Sequence, residues 1–356
     1  MNILLINTSK IWGGNEKWTH MAAHSLAEDN EVSLAYRSRN LGRRFLINKL
    51  RLPFWNRLDV YTLIRLSGYI KKHDIKVVVS TNRKFYLLGG LAARMTGCRH
   101  FVRCGIVWKV PDTKYYRILF EKFIDGIIVN AAPVRERLVR SGFIDKEKIH
   151  LIYNGLDTKK MENSKNEDAD KPFDFTVISS GELIPRKGYE FLIRSFANFL
   201  KKNSDAEAGL VIMGKGRQKK ELKILVKNQG IDNRVIFAGF VDNPYPLLSK
   251  ADLFVSVSRN EGVSNAMLEA MYLGVPVITT PAGGAGDVIS HGQNGFLVEY
   301  GDGDELVRLI EQACEVDNNL IKNVGKAGCR TAASTFSMKQ MTSSLQLVFD
   351  SSLQRV

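Results

Sequence analysis

Two glutamates separated by seven residues, Glu261 and Glu269, stand in the stretch DLFVSVSRNEGVSNAMLEAMYLGVPVITT, residues 252–280. An ionised carboxylate is a pure acceptor with two oxygens, so it suits the vicinal hydroxyls of a sugar. Ser264 lies where it can cap a helix whose first amides belong to Asn265, Ala266 and Met267, and such a helix end favours an anion such as phosphate. Glu269 then falls about one turn inside that helix at 1.5 Å per residue. With a nucleoside diphosphate on the amides, Glu269 is placed to accept from ribose hydroxyls, and Glu261 reaches a group beyond the phosphates, such as a sugar. Spacing alone leaves open a plainer alternative, an exposed loop glutamate beside a solvated helical one.

Other candidates share the same character. Arg186 and Lys187, in GELIPRKGYEFL, are loop cations that can meet a diphosphate, and a solvated basic pair is the plain alternative. Gly214 and Gly216, in MGKGRQ at a strand end, allow a backbone to approach a nucleotide, though a plain turn reads the same way. Gly13 and Gly14 precede Asn15 and Glu16 in a first strand-to-helix loop, where close backbone approach and a helix start again favour an anion.

These residues need elements to hold them. Leu253–Val257 and Val275–Thr279 are short, apolar and β-rich, as parallel strands covered on two faces are. The same alternation of apolar strand and helix runs along the chain, predicting an α/β fold of two doubly wound, Rossmann-like domains with ligands at the carboxyl ends of the strands. In the first half, strands are expected at 2–7, 31–37, 75–80, 100–104, 126–130 and 148–154, with helices between them. In the second they are expected at 174–181, 209–214, 234–239, 253–257, 276–280 and 295–299. Residues 158–171 carry hardly an apolar side chain and read as an exposed linker, dividing the chain into 1–170 and 171–336.

A chain of 356 residues, 44% hydrophobic and 25% charged, suits two soluble domains. It contains no run of about 18 uncharged apolar residues, so no membrane-spanning helix is expected, and MNILLINTSK reads as a strand rather than a signal peptide. A cytoplasmic location follows as an expectation. Cys98, Cys104, Cys314 and Cys329 lack zinc-site spacing and read as ordinary thiols, and His20 and His24 as a satisfied pair on one helix face; no metal is expected.

The net charge of +14 is concentrated: residues 1–100 hold 17 Lys and Arg against 6 Asp and Glu, leaving 34 against 31 for the remainder. Within RSRNLGRRFLINKLRLPFWNR, residues 37–57, the cations Arg43, Arg44, Lys49 and Arg51 are interleaved with apolar residues including Phe54 and Trp55. This pattern favours an anionic membrane surface over nucleic acid, with a solvated basic loop as the plain alternative.

The paired glutamates, with their flanking motifs, resemble the signature of the retaining glycosyltransferases of family four, and the resemblance extends over nearly the whole chain. It implies the GT-B fold, two Rossmann-like domains facing a central cleft. Residues 1–170 would form the acceptor side, with a C-terminal helix at 337–356 packing back on it, and 171–336 the nucleotide-sugar domain. Glu261 would contact the donor sugar, Glu269 hold the ribose, and Lys187 serve the diphosphate, while Gly13 and Gly14 would face the donor phosphates and Phe240 and Val241 lie beside the base. Asn154, Gly155 and Asp157 match a marker at the end of the first domain. Two departures stand out. Glu182 occupies the place of a clamp arginine, for which Arg186 can compensate, and Arg103 or Cys104 stands near the place of a histidine, with Glu16 as a further acceptor-side group.

The resemblance implies metal-independent transfer from a nucleotide-sugar, a UDP-sugar in preference to GDP-mannose, to a hydroxyl of a cell-surface polysaccharide or lipopolysaccharide precursor. No cofactor is expected. The partners would be the donor, a glycan or lipid-linked acceptor and the inner, anionic face of the cell membrane. Two alternatives remain: an NADP-linked oxidoreductase, suggested by the first glycine loop and Arg37, and a catalytically degenerate sugar-nucleotide-binding scaffold.

Overall fold

The computed structural model describes residues 1–315 and 319–354. The chain forms two compact units, Met1–Gly155 with Met338–Val356, and Leu156–Ser337.

The first unit is built on seven parallel strands: β1 (Asn2–Asn7), β2 (Glu31–Tyr36), β3 (Asn48–Arg51), β4 (Val77–Ser80), β5 (Arg99–Cys104), β6 (Gly126–Val129) and β7 (Ile149–Leu151), in the order β3-β2-β1-β4-β5-β6-β7. Both faces are covered, which is why β1, β4 and β6 are almost continuously apolar rather than alternating. Ile3, Leu5, Val77 and Val79 enter one core with Trp18 and Met341, and Leu4, Ile6 and Val78 enter another with Leu66 and Leu88. The helix Met338–Gln354 packs on the helix Gly14–Leu26. Its Met341, Leu345 and Phe349, spaced by four, are buried, each contributing roughly 1.5–3 kcal/mol. Residues 355 and 356 of the expected C-terminal helix lie outside the described residues.

The second unit has six parallel strands: β8 (Phe175–Ser180), β9 (Ala208–Met213), β10 (Val235–Gly239), β11 (Leu253–Ser256), β12 (Val277–Thr279) and β13 (Phe296–Leu297), ordered β10-β9-β8-β11-β12-β13. The order reverses between β8 and β11, and the crevice at such a switch point is where open α/β sheets bind ligands.

Two features differ from expectation. β3 lies inside the basic stretch; its side chains, Asn-Lys-Leu-Arg, are too polar to announce a strand, and this suits an edge that must not pair with another chain. Residues 158–171 are not all exposed linker. The Asp157 side chain accepts from the Lys160 amide at 3.1 Å and starts a helix, Thr158–Ser164, whose Met161 is fully buried. Ser249 Oγ also donates to the Lys165 carbonyl at 2.9 Å, so this segment belongs to the second unit and the boundary falls after Gly155 rather than after residue 170.

Candidate active site

The loops that follow β8 and β11 flank the switch point of the second sheet. The first turns through a short 3-10 segment, Pro185–Lys187, and leaves it at Gly188, whose φ of 73° and contact with the Val257 carbonyl oxygen, which a Cβ would overlap, both require glycine. The Arg259 amide donates to the Arg186 carbonyl at 2.7 Å, joining the two loops. Arg186 Nη1 donates to the Asn260 carbonyl at 3.1 Å and to Glu261 Oε2 at 3.3 Å, and Lys187 Nζ donates to that same carboxylate oxygen. Side-chain exposure is 11% for Lys187, 17% for Glu261 and 34% for Arg186, so the Lys187–Glu261 pair is largely out of water. Burial pushes the Glu261 carboxyl up, but Lys187 and Arg186 outweigh it and hold it below its ordinary range. Glu261 is therefore an ionised acceptor at neutral pH.

A third loop braces it. Gly283 has φ of 67°, a Cβ there would overlap the Glu261 carbonyl oxygen, and the Gly284 amide donates to the Gly262 carbonyl at 2.9 Å. Gly283→Ala is expected to destabilise the protein by about 1–3 kcal/mol through backbone strain, measured by urea unfolding, with nucleotide affinity falling alongside. Neither Gly188 nor Gly283 was singled out in the sequence, although a glycine just past a loop basic pair is the available signal at Gly188.

The helix Asn265–Tyr272 begins where predicted, with Ser264 at its N-cap position, but the Ser264 hydroxyl makes no capping bond. The first intrahelical bond runs from the Leu268 amide to the Ser264 carbonyl at 3.1 Å, so the amides of Asn265, Ala266 and Met267 precede the helix's own bonding pattern. Glu269, inside this helix, is 4% exposed and is not the solvated glutamate of the plainer alternative. Ser256, Ser258, Glu261, Ser264 and Thr280 line one small cavity, and the buried Ser258 Oγ has no hydrogen-bond partner among the described residues.

Gly214 and Gly216 each lie against a neighbouring backbone. A Cβ at Gly214 would overlap the Gly181 carbonyl oxygen, and one at Gly216 the Leu183 backbone; Leu183 N also donates to the Lys215 carbonyl at 3.0 Å. These glycines let the loop after β9 press on the loop after β8. Glu182, on that loop, is exposed.

In the first unit, Gly13 is the N-cap of the helix Gly14–Leu26, and Glu16 lies buried in its first turn, where burial raises its carboxyl above the ordinary range. Arg103 is an internal tie: Nη1 donates to Asn15 Oδ1 at 2.9 Å, Nη2 to Asn154 Oδ1 at 3.2 Å, and the guanidinium lies 4.5 Å from the Trp18 ring centroid. Burial pulls its pKa down to about 10. Cys104 is also buried. Of the residues predicted to face a membrane, Phe54 is instead fully buried in the core with Leu66, and Lys49 Nζ turns back onto the Gly42 and Phe45 carbonyls at 3.1 and 2.8 Å. Arg43, Arg44 and Arg51 are exposed, with Arg51 Nε donating to the Arg37 carbonyl at 3.4 Å and Arg44 lying over the Trp12 ring at 4.6 Å. Among the described residues, no group of three or more His, Cys, Asp or Glu is arranged to hold a metal ion, and no helix is long and apolar enough to cross a membrane.

Comparison with known proteins places this architecture. A family model described as Glycosyl transferases group 1 matches residues 158–330, and one described as Glycosyltransferase Family 4 matches residues 12–160. The lipopolysaccharide core biosynthesis glycosyltransferase LpsE of Rhizobium meliloti (strain 1021) is 31% identical over 234 residues, 65% of this chain and 66% of that protein. The N-acetylgalactosamine-N,N'-diacetylbacillosaminyl-diphospho-undecaprenol 4-alpha-N-acetylgalactosaminyltransferase of Campylobacter jejuni subsp. jejuni is 28% identical over 213 residues, 60% of this chain and 56% of that one. The chain thus spans between about half and two thirds of the length of these curated relatives. The crystal structure of Anabaena HepE in complex with UDP has a TM-score of 0.82 at 20% identity, covering 99% of this chain and 100% of that one, a likeness of fold. The two parallel sheets define the GT-B class. The chain belongs to the glycosyltransferases, a family of transferase enzymes, and its two adjoining matches are to their group 1 and family four domains.

Proposed function

We propose that the chain is a retaining glycosyltransferase that moves a sugar from a UDP-sugar, in preference to GDP-mannose, to a hydroxyl of a polysaccharide or lipopolysaccharide precursor. The observation that carries this reading is the convergence of Glu261, Lys187 and Arg186 at the switch point, with Glu269 buried one helical turn beyond. Glu269 and the amides at 265–267 would hold the nucleotide, and Glu261 would orient the sugar ring. As the bond from the anomeric carbon to the diphosphate oxygen breaks, its electron pair leaves with the diphosphate, whose growing charge Lys187 and Arg186 stabilise. The acceptor oxygen bonds the anomeric carbon on the same face and its proton passes to the departing phosphate. Two side-chain cations and a helix start supply what a divalent ion would otherwise supply, so no metal or cofactor enters the scheme. The first unit would supply the acceptor surface.

The relatives support the substrate classes: one is named for lipopolysaccharide core biosynthesis, another for a diphospho-undecaprenol acceptor, and the HepE structure contains UDP. A lipid-linked acceptor at the cytoplasmic face of the cell membrane fits that set. Membership in the glycosyltransferases sets aside the NADP-linked alternative.

Thermal unfolding with UDP, GDP, their sugar conjugates and NADPH tests the donor. UDP at about 100 times its dissociation constant should add roughly 2.7 kcal/mol. Glu269→Ala is expected to weaken UDP binding by about 1.5–3 kcal/mol, the worth of a hydrogen bond to a charged group. Unchanged affinity in that variant would overturn the ribose assignment. Tight UDP binding without any release of UDP from UDP-sugars would favour the scaffold reading, which the exposed Glu182 in the clamp position motivates.

A further inference from the structure

The basic stretch at 37–57 does not form one surface. Leu41 and Phe45 pack into the core that holds Ile3, Leu5 and Trp18, whereas Leu52 and Phe54 pack into the opposite core with Leu4, Ile6 and Leu66. The chain therefore passes round the edge of the first sheet through β3, and residues 55–65 lie on the other side from Arg43 and Arg44.

On that other side is an apolar and cationic face. Trp55, Leu58, Val60, Tyr61 and Ile64 are between 51% and 70% exposed. The helix Val60–Lys72 buries Thr62, Leu66 and Ile70 and turns Val60, Tyr61, Ile64 and Arg65 to solvent. The Trp55 and Tyr61 rings are 6.1 Å apart, and the Arg57 guanidinium lies 5.8 Å from the Tyr115 ring centroid, which extends the face onto the helix Lys114–Lys122 and its half-exposed Ile118. Between Glu31 and Asp74 the one carboxylate is Asp59. It is buried as a helix cap, its oxygens taken by the Trp55 amide at 2.9 Å and by the Thr62 amide and hydroxyl at 3.0 and 2.7 Å. From Trp55 to Arg65 the face consequently offers cations and apolar groups with no exposed carboxylate, and beside Tyr115 and Ile118 the exposed Asp112 and Glu121 are paired with Arg117 and Lys122 at 2.6 and 2.8 Å.

A helix lying with such a face outward has the composition of an in-plane membrane helix, and Trp and Tyr favour the headgroup level because one end is apolar and the other polar. We propose that this face, Trp55 to Arg65 with Tyr115 and Ile118, docks on the surface of a bilayer bearing anionic lipids. Arg57 and Arg65 pair with lipid phosphates while Trp55, Leu58, Tyr61 and Ile64 enter the acyl boundary. The inference deepens, and rests on, the lipid-linked acceptor proposed above, and of the stretch 37–57 it keeps Trp55 and Arg57 while leaving Arg43 and Arg44 on another side of the same unit.

Cosedimentation with phosphatidylglycerol/phosphatidylcholine vesicles and with phosphatidylcholine vesicles tests it. The full chain is expected to bind the first and not the second. Each cation near an anionic surface contributes about 1 kcal/mol, so Arg57→Gln with Arg65→Gln should weaken binding about thirtyfold at 1.4 kcal/mol per tenfold. Trp55→Ser with Ile64→Ser should weaken it at least as much, whereas Arg43→Gln with Arg44→Gln should leave most of it intact. Equal losses in all three variants, or no binding by the wild type, would overturn the proposal. So would a concentration-dependent dimer abolished by Trp55→Ser with Ile64→Ser, which would make a second copy the occupant. UDP stabilisation measured on the same samples separates the two readings. UDP binding without vesicle binding sinks only the docking face, and vesicle binding without any nucleotide binding sinks only the transferase assignment.

Discussion

Glu261→Ala is expected to lower sugar transfer by about a hundredfold or more while leaving UDP affinity equal to or above that of the wild type. The two effects part because the carboxylate has two jobs. Orienting the sugar as charge develops on the diphosphate matters in the transition state, where losing one positioned group costs on the order of 10²–10³ in rate. In the absence of ligand the same carboxylate neutralises Lys187 and Arg186, and its removal leaves both cations available to a diphosphate. The variant should also be less stable, because Lys187 is left buried without its partner, a change that costs roughly 3–5 kcal/mol for a buried pair. Arg186, a third exposed, should contribute well under that. The pH dependence has a definite sign. The Glu261 carboxyl is depressed in the folded state, so its stabilisation is present above the unfolded carboxyl value of about 4.3 and is lost as pH falls through the lower folded value. Urea unfolding of wild type and Glu261→Gln from pH 7 to 3, with initial rates and UDP titrations at pH 7, checks all three effects. Wild-type turnover in Glu261→Ala would remove this residue from the mechanism.

The second large effect belongs to the first unit and is independent of the chemistry. His100 is buried on β5, its Nε2 2.8 Å from Ser80 Oγ and its Nδ1 2.6 Å from the Phe123 carbonyl oxygen. That carbonyl can only accept, so Nδ1 carries the hydrogen, and Ser80 donates to Nε2 in a neutral ring. Burial drives the His100 pKa down to about 4. The unfolded chain binds this proton near 6.5, so the stabilisation is complete above pH 6.5 and is lost as pH falls towards 4. A gap of about 2.5 pH units at 1.36 kcal/mol each amounts to roughly 3 kcal/mol. Unfolding free energies at pH 7 and pH 4 should differ by about that amount beyond the loss from carboxylates, and His100→Gln should remove the excess whatever its own stability. An unaltered slope in the variant would show that another group is responsible. Gly89 leaves no room for relief, since a Cβ there would press on both Ser80 Oγ and His100 Nε2.

Much of this molecule is legible in its sequence. Apolar runs such as NILLIN and VVVS are short and bounded by polar turns, and a strand buried on both faces must look like that. The paired glutamates around a helix start were equally visible, because strand, loop and helix are contiguous there. Local signals misled where burial contradicted composition. Asp157 and Met161 make a docked helix of a segment that reads as a linker, and β3 is an edge strand whose polar side chains hide it. The basic stretch read as one surface because nothing local shows that Phe45 and Phe54 belong to opposite faces of a sheet. Most element types, and the residue kinds at the carboxyl ends of the strands, can be read from periodicity over a few residues, with β3 and the helix Thr158–Ser164 as the exceptions. Which of those ends meet depends on the folded sheet. Lys187 finds Glu261 74 residues along the chain because β8 and β11 pair as neighbours across the reversal of strand order. That adjacency is a property of long-range strand pairing, which leaves no mark in the spacing of either loop.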